Sequence, residues 1–344
     1  ILKKEFNRSL TDENIHILDP FTGTGTFITR LLQSGLIKKK DLMRKYEREI
    51  HANEIVLLAY YIAAVNIENA FHDLSGSKEY RSFEGICLTD TFQLGETDES
   101  EVLFSEIFPQ NSERVKSQKK APLRVIIGNP PYSIGQKSIN DNAQNQSYPK
   151  LDAKVACTYV KESSAGLNKS LYDPYIKAFR WSTDRLDKSG GIIAFVSNGG
   201  WLDGNSTDGF RKCLEKEFSA IYVFNLRGNC RTQGELRRKE AGNVFGLGSR
   251  TPITITLLVK KPEKSKEKAI IHYHDIGDYL NREEKLKIIS KFKTIANPDM
   301  SLIELQPNEH GDWLSQRSDV FGTFVPIEPV KKFDTKTQSI FNAY

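Results

Sequence analysis

The sequence predicts an α/β protein with a doubly wound, mostly parallel, seven-stranded sheet. Short apolar segments alternate with helical ones along most of the chain, which is typical of parallel sheets covered by helices on both faces. With 344 residues, 38% hydrophobic and 27% charged, the chain can form a sizeable core and is too apolar for wholesale disorder. Glycine- or proline-rich turns follow the first and fourth strands, at the edge where ligands bind in such sheets.

The predicted strands are short apolar runs, two of which end in an acidic residue. They comprise residues 15–19, 48–53, 83–90, 123–127, 191–196, 221–226 and 253–260. We expect the last two to form an antiparallel edge of the sheet. The polar stretch 93–121 is predicted to be a loop insertion, and residues 133–169 a long loop with one short helix.

A charged break at residues 260–268 (KKPEKSKEK) predicts a domain boundary. We therefore assign residues 1–262 to the main domain and residues 263–344 to a linker and the start of a second domain. The chain begins at Ile1, without an initiator methionine and within a helical pattern. We expect the first domain to be truncated at its N-terminus and the chain to be part of a longer polypeptide.

Composition excludes several classes of protein. The longest apolar run, residues 55–65, is interrupted by two tyrosines and is about half of the ~20 residues that a membrane span needs, so no membrane association is expected. The four cysteines lie far apart without a CxxC pair. This excludes a disulfide framework and a cysteine-based zinc site, and it indicates a cytoplasmic protein. His272 and His274 share one face of a strand but lack further ligands, so no metal site is expected.

The net charge of +5 is mild, but basic residues cluster between positions 227 and 239. A solvated loop would explain such a run. The alternative is a surface that holds the phosphates of a nucleic acid. The candidate phosphate-binding residues are Arg227, Arg231, Arg237 and Arg238.

The turn after the first strand is the first candidate binding element. A strand-end acid, followed by a glycine turn into a helix, is typical of nucleotide sites, because glycine lets the backbone approach a ligand and the helix N-terminus favours a negative group. The pattern is neither GxGxxG nor a P-loop, which argues against NAD and ATP. It suits a compact cofactor with an amino-acid end. The candidate cofactor-binding residues here are Asp19, Pro20, Phe21, Thr22, Gly23, Gly25 and Thr26.

Acids at the ends of the second and third strands extend this candidate site. Glu54 can accept hydrogen bonds from the two hydroxyls of a ribose. Asp90 can accept from an adenine amino group, with Phe92 or Ile55 packing on the ring. The alternatives are a solvent-facing glutamate at a helix N-terminus and an acid that caps a turn.

The sequence Asn129-Pro130-Pro131-Tyr132 follows the fourth strand directly. Two prolines hold the backbone extended and cannot donate hydrogen bonds, so the carbonyls of this stretch are free to accept. The amide oxygen of Asn129 adds a second acceptor, and Tyr132 places a flat ring beside both. The pattern indicates a site for a planar group that bears an NH2. A rigid loop without a ligand is the alternative.

These two motifs, DPFTGTGTF at residues 19–27 and NPPY at residues 129–132, resemble those of amino-group DNA methyltransferases that use S-adenosylmethionine. Their order along the chain resembles the gamma class of N6-adenine enzymes. Longer stretches at residues 225–234, 251–260 and 272–277 are similar to type ISP single-polypeptide restriction–modification enzymes.

The resemblance implies a Rossmann-like methyltransferase fold for residues 1–262 and the beginning of a target-recognition region in residues 263–344. It implies S-adenosylmethionine as the cofactor, with Asn129 among the residues that bind it, and double-stranded DNA as a partner. It also implies nuclease and helicase domains in the same polypeptide, which would make the parent an ATP-dependent restriction endonuclease. The implied reaction is methyl transfer to N6 of an adenine that has been flipped out of the duplex.

Two other functions stay open at this point. An NPPY-type methyltransferase acting on RNA or on a protein glutamine would use the same acceptors, since they suit any planar NH2 group. A non-catalytic DNA-binding fragment is the second alternative. A non-catalytic fragment would not need acids at three strand ends together with Asn129 at a fourth, which argues against this alternative.

Overall fold

The computed structural model describes residues 1–77, 79–96, 108–132, 147–246, 249–262 and 267–316, together with Val320 and Val325. Its centre is a nine-stranded sheet with the order β3-β2-β1-β4-β5-β7-β6-β8-β9. The strands are β1 (His16–Asp19), β2 (Ile50–Glu54), β3 (Ile86–Leu88), β4 (Leu123–Gly128), β5 (Gly191–Asn198), β6 (Ala220–Asn225), β7 (Ile253–Lys260), β8 (Ile270–Asp275) and β9 (Ile303–Leu305).

The predicted α/β fold class is confirmed, and the order of strands reverses between β1 and β4 as expected. Strand β1 pairs in parallel with both β2 and β4. The antiparallel strand β7, however, lies between β5 and β6 rather than at an edge. Beyond β6 the sheet continues with β8, which is parallel to β6, and with β9, which is antiparallel to β8. The expectation of seven strands with β6 and β7 as the edge pair is therefore wrong, because β8 supplies another apolar strand for the edge of β6.

Among the described residues, helix α1 precedes β1 and the other α-helices lie between strands in the chain. They are α1 (Leu2–Phe6), α2 (Thr26–Gln33), α3 (Lys39–Arg44), α4 (Leu57–Ser75), α5 (Pro109–Lys120), α6 (Pro149–Val155), α7 (Pro174–Arg185), α8 (Asp208–Glu217), α9 (Gly234–Glu240) and α10 (Arg282–Phe292).

Local sequence signals explain several helix ends. The long helix α4 ends at Gly76, whose φ of 67° is the left-handed conformation typical of helix C-termini. Helix α7 begins after Asp173, whose side chain accepts a hydrogen bond from the amide of Tyr175, and Pro174 occupies its first turn. At α10, Asn281 and Glu284 form a reciprocal capping box.

Helix α5 lies in the stretch that was predicted to be a loop. Its sequence is strongly polar, and Gln118 is the residue that it buries. Without an apolar stripe, the helical period does not show in the sequence. Residues 97–107 of that predicted loop, and residues 133–146 of the second one, lie outside the described residues.

The core has two main layers, one on each face of the sheet. Alternate residues of each central strand face opposite layers, as at Ile17 and Leu18 in β1. One layer packs under α1 to α4, and the other packs under α6, α7 and α8. The parallel strands are therefore buried on both sides, which leaves their ends as the accessible edge.

The region after residue 262 contributes to the same sheet. Strands β8 and β9 extend it, and α10 packs through Ile289 and Phe292 against Phe224 of β6. The assignment of residues 263–344 to a linker and a target-recognition region stays a prediction. Within the described residues, no helix has the length and apolar content needed to cross a membrane.

Candidate active site

The turn between β1 and α2 lies at the carboxyl end of β1. Gly23 and Gly25 have φ values of 56° and 85°, a left-handed backbone that glycine adopts without strain. A Cβ on Gly25 would lie 3.2 Å from the Cα of Ala63 in α4. Glycine at this position therefore lets the turn reverse its direction and also rest directly on the α4 backbone.

Asp19 is completely buried at the end of β1. Its Oδ1 accepts a hydrogen bond from the amide of Phe21 at 3.1 Å, whereas its buried Oδ2 has no hydrogen-bond partner among the described residues. Burial, and then the charge of Glu54, raise the pKa of Asp19 to about 7. A buried acceptor without a partner costs about 1–3 kcal/mol, so this oxygen is suited to a donating or cationic ligand group.

Glu54 ties the end of β2 to the glycine turn. Its Oε2 accepts from the amide of Gly23 at 2.7 Å, and its Oε1 accepts from the amide of Val56 at 2.8 Å. Burial raises the pKa of this carboxyl group. Each carboxylate oxygen has a second lone pair, so the group can still accept hydrogen bonds from a ligand.

A buried network that the sequence reasoning missed joins three strand ends. The Thr91 hydroxyl donates to the Pro20 carbonyl at 2.5 Å and accepts from the Asn53 side chain at 3.2 Å. The Asn53 carbonyl accepts from the amide of Thr22 at 2.9 Å. The sequence does offer one signal for Asn53 and Thr91, since they are the direct neighbours of the predicted site residues Glu54 and Asp90. The network holds the turn after β1 to the ends of β2 and β3.

Asp90 follows β3, and both of its carboxylate oxygens are engaged. Oδ1 accepts from the amide of Phe92 at 2.9 Å, and Oδ2 accepts from the hydroxyl of Tyr148 at 2.7 Å. Phe92 is buried against Phe21 and Tyr148, whereas Ile55 is 53% exposed. Of the two apolar residues considered for an adenine ring, Ile55 presents the accessible surface.

Asn129 to Tyr132 follow β4 immediately. The Oδ1 atom of Asn129 is buried and has no hydrogen-bond partner in the described part of the chain. Pro130 is buried, Pro131 is exposed and Tyr132 is partly buried against the core. The site thus contains a second unsatisfied acceptor, at the position predicted for an NH2 group.

The two motifs meet at the centre of the sheet. A Cβ on Gly128 would lie 2.8 Å from Oδ1 of Asp19, so the residue before Asn129 must be small where the carboxyl group packs against β4. Asp19, Glu54 and Asp90 come from the neighbouring strand ends of β1, β2 and β3, and Asn129 comes from β4. The structure brings these predicted residues to one edge, and their individual roles stay predictions.

The predicted phosphate-binding arginines differ in how they are engaged. Arg227 pairs with Asp275 at 2.6 Å and also with Asp278. Arg237 donates from Nη1 to the carbonyl of Ala241 at 2.6 Å. The Arg238 side chain is 79% exposed and lies 3.5 Å from Glu235, and Arg231 is exposed. Arg227 therefore stabilises the fold of this loop, and Arg231 and Arg238 are the more accessible charges.

Comparisons with known proteins agree with this architecture. Residues 49–229, more than half of the chain, match the Eco57I restriction-modification methylase family. This range includes Glu54, Asp90 and Asn129 and begins after the Asp19 turn. A comparison with curated proteins found no match.

Three solved structures are similar to nearly the whole chain. A nuclease-deletion mutant of the type ISP restriction-modification enzyme LlaGI, in complex with a DNA substrate mimic, is 48% identical, with a TM-score of 0.88 over 95% of this chain and 27% of that one. The ATP-dependent type ISP enzyme LlaBIII bound to DNA is 42% identical, with a TM-score of 0.90 over 99% of this chain and 23% of that one. A DrdV–DNA complex gives 38% identity and a TM-score of 0.87 over 99% of this chain and 32% of that one.

The fold and the strand-end site thus define a protein of the restriction–modification methylase class. The chain belongs to the Eco57I restriction-modification methylase family. It spans about a quarter to a third of the length of the structures that it resembles.

Proposed function

We propose that this chain is the methyltransferase part of a restriction–modification enzyme and transfers a methyl group to N6 of adenine in duplex DNA. The observation that carries the proposal is the pair of unsatisfied buried acceptors, Oδ2 of Asp19 and Oδ1 of Asn129, at the adjacent strands β1 and β4. One suits a cationic group and the other suits an amino group. A cofactor and a target amine would therefore face each other at this edge of the sheet.

The residues present fit S-adenosylmethionine, which supplies an electrophilic methyl group on its sulfonium. Asp19 would pair with the ammonium of the cofactor through its unsatisfied oxygen, and the turn from Thr22 to Thr26 would hold its carboxylate. Glu54 would accept from the ribose hydroxyls, and Asp90 would accept from the adenine amino group. Ile55, which is 53% exposed, would cover one face of the adenine.

The target amine would be activated by acceptors rather than by a strong base. The lone pair of the adenine N6 is delocalised into the ring, which makes this nitrogen a poor nucleophile. Asn129 Oδ1 and the Pro130 carbonyl would accept its two hydrogens, which favours tetrahedral geometry and frees the lone pair. The proton released after transfer would leave along the same hydrogen bonds. Since these contacts strengthen as the nitrogen becomes positive, they act on the transition state.

The target base must leave the duplex to reach this edge, at a cost of a few kcal/mol. Stacking on Tyr132, worth about 1–3 kcal/mol per base, would offset part of that cost. DNA as a partner is supported by the similarity to LlaGI, LlaBIII and DrdV, each solved with DNA or a DNA mimic. In line with the type ISP relatives, we propose that nuclease and helicase domains belong to the same polypeptide.

A comparison of substrates tests the proposed function. The full-length protein is incubated with methyl-labelled S-adenosylmethionine and either unmethylated genomic DNA, total RNA or a protein extract. After digestion, mass spectrometry should find the label in N6-methyladenine from DNA. Label in RNA, in glutamine or in another DNA base would contradict the proposal. Asn129→Ala serves as the matched control, because it should remove the signal from the true substrate.

A further inference from the structure

The contact between Tyr148 and Asp90 links two parts of the site that the sequence keeps far apart. Tyr148 follows the Asn129–Tyr132 motif in the chain, whereas Asp90 belongs to the cofactor side. The Tyr148 hydroxyl donates to Oδ2 of Asp90 at 2.7 Å, and Tyr148 as a whole is only 4% exposed. Burial, followed by the nearby Asp90 charge, raises the pKa of Tyr148. The hydroxyl therefore stays protonated and acts as the donor.

The Asp90 carboxylate is held at two points. The Phe92 amide fixes Oδ1 and the Tyr148 hydroxyl fixes Oδ2, so the plane of the group cannot rotate freely. Each oxygen still has one lone pair available for a ligand. A carboxylate held in this way presents its available lone pairs in defined directions. Supporting hydrogen bonds of this kind make a site more selective for a ligand group in one position.

The Tyr148 ring has its own support, independent of the hydroxyl. It packs edge-on against Phe92 with ring centroids 5.3 Å apart, and the Nζ of Lys177 lies 5.4 Å from its centre. Glu96 also accepts from the amides of Lys150 and Leu151, at 2.9 and 3.0 Å. The start of α6 therefore stays anchored if only the hydroxyl is removed.

We infer that Tyr148 is a positioning residue that orients Asp90 toward the 6-amino group of the cofactor's adenine. This inference rests on the proposed function and deepens it, since it assigns the selectivity for the adenine amino group to a residue from beyond the catalytic motif. The hydroxyl acts through Asp90 and does not itself touch the cofactor.

The test uses two ligands that differ only in the 6-amino group. S-adenosylhomocysteine and its 6-deamino analogue, in which hydrogen replaces the amino group, are titrated by calorimetry into the full-length protein. Wild type should prefer S-adenosylhomocysteine by roughly tenfold or more, because a hydrogen bond to a charged group is worth about 1.5–3 kcal/mol. Tyr148→Phe should reduce this preference by roughly two- to tenfold, because Asp90 loses one of the two hydrogen bonds that hold its orientation and a typical net hydrogen bond is worth about that much.

A purely structural role for Tyr148 would weaken both ligands equally and leave the preference unchanged, and that result would overturn the inference. Tyr172→Phe is the matched control, because its ring also lies beneath Lys177, with Nζ 6.0 Å from the ring centre. This control should keep the wild-type preference. If wild type fails to bind S-adenosylhomocysteine, the proposed function fails, and the inference fails with it. If wild type binds and discriminates but Tyr148→Phe behaves identically, only the inference fails.

Discussion

At the scale of single residues, Asn129 is the proposed acceptor for the target amine. Its side-chain oxygen is buried and unsatisfied within the described residues, and an unpaired acceptor of this kind is costly unless a ligand uses it. Asp19 presents the same situation one strand away. Both atoms lie at the ends of rigid central strands, so little reorganisation is needed when a ligand arrives.

Asn129→Ala should reduce single-turnover methylation by about 10²–10³, the usual loss for one well-placed electrostatic partner. Binding of S-adenosylhomocysteine should change little, since the acceptor acts mainly on the chemical step. Rapid-quench methylation of an adenine-containing duplex by the full-length protein provides the rate, and calorimetry provides the affinity. Asn129→Asp keeps an acceptor oxygen and should retain measurable turnover. An Asn129→Ala rate above about a tenth of wild type would contradict the acceptor role.

At the scale of elements, the amino-terminal ends of β1 and β2 carry a stacked histidine pair, in which His51 is buried and His16 is half-buried. His16 Nδ1 and His51 Nε2 are 3.0 Å apart and the rings stack at 5.3 Å. Burial, and then the neighbouring His16, lower the pKa of His51 to about 3. Burial also lowers the pKa of His16. The pair is therefore mostly neutral near pH 7 and joins the strands at the edge opposite the candidate site.

The histidine pair predicts how stability depends on pH. Between about 3 and 6.5, the unfolded chain binds more protons at His51 than the folded chain does, so stability should fall as the pH is lowered below 6.5. The slope can reach about 1.4 kcal/mol per pH unit for one such group. Urea denaturation between pH 5 and about 7 should therefore give a flatter profile for His51→Gln than for wild type. His310→Gln, at a side chain that is 41% exposed, should keep the wild-type profile. An unchanged slope in His51→Gln would refute the assignment.

The loop after β6 and helix α9 contain the arginines that we propose to bind phosphates. The accessible arginines lie here, whereas Arg227 is engaged by Asp275 and Asp278. Replacing Arg231, Arg237 and Arg238 with alanine should lower the magnitude of the log–log salt slope for non-specific DNA binding by about 0.9 for each lost phosphate contact. Fluorescence anisotropy at several salt concentrations measures this slope.

A matched variant separates this local effect from the change in net charge. Lys38, Lys39 and Lys40 are exposed residues around the start of α3, outside the strand-end edge that carries the site. Their replacement with alanine removes the same charge and should leave the slope nearly unchanged. Equal slopes for wild type and the triple arginine variant would reject the phosphate-binding assignment.

At the scale of the whole molecule, Arg211 of α8 connects the segment around Gly311 and Asp312 to the rest of the fold. Its side chain is 1% exposed. It donates from Nε to the Gly311 carbonyl at 2.6 Å and from Nη1 to the Trp201 carbonyl at 2.7 Å. Asp312 lies 3.6 Å away as its charged partner. One side chain thus connects the chain after β9 to the segment that follows β5.

Arg211→Met should destabilise the fold by about 3–5 kcal/mol, because it removes one partner of a buried ion pair. Urea denaturation followed by tryptophan fluorescence measures the loss, since the Trp201 and Trp313 rings lie 5.4 Å apart beside this contact. Lys216→Met breaks a more exposed pair with Glu162 and should cost at most about 1 kcal/mol. A loss in Arg211→Met no larger than in Lys216→Met would show that the contact is not required.

The sequence by itself determined the fold class and the positions of the candidate site. Each motif is local: an acid or asparagine at the end of an apolar run, followed by glycines or prolines, defines a strand end within a few residues. Parallel strands then bring such ends to the same edge of the sheet. This is why the sequence alone predicts that Asp19, Glu54, Asp90 and Asn129 lie together.

Only the tertiary structure decided which side chains engage one another across long stretches of sequence. The placement of β7 inside the sheet, the pairing of Arg227 with Asp275 and the contact of Tyr148 with Asp90 all join residues that are distant along the chain. Helix α5 was not predicted from the sequence, because a strongly polar helix shows no periodic pattern of apolar residues. Local patterns determine where elements end, because the signals lie within a few residues. Packing of the whole chain selects the partners of each side chain, because those partners come from distant parts of the sequence.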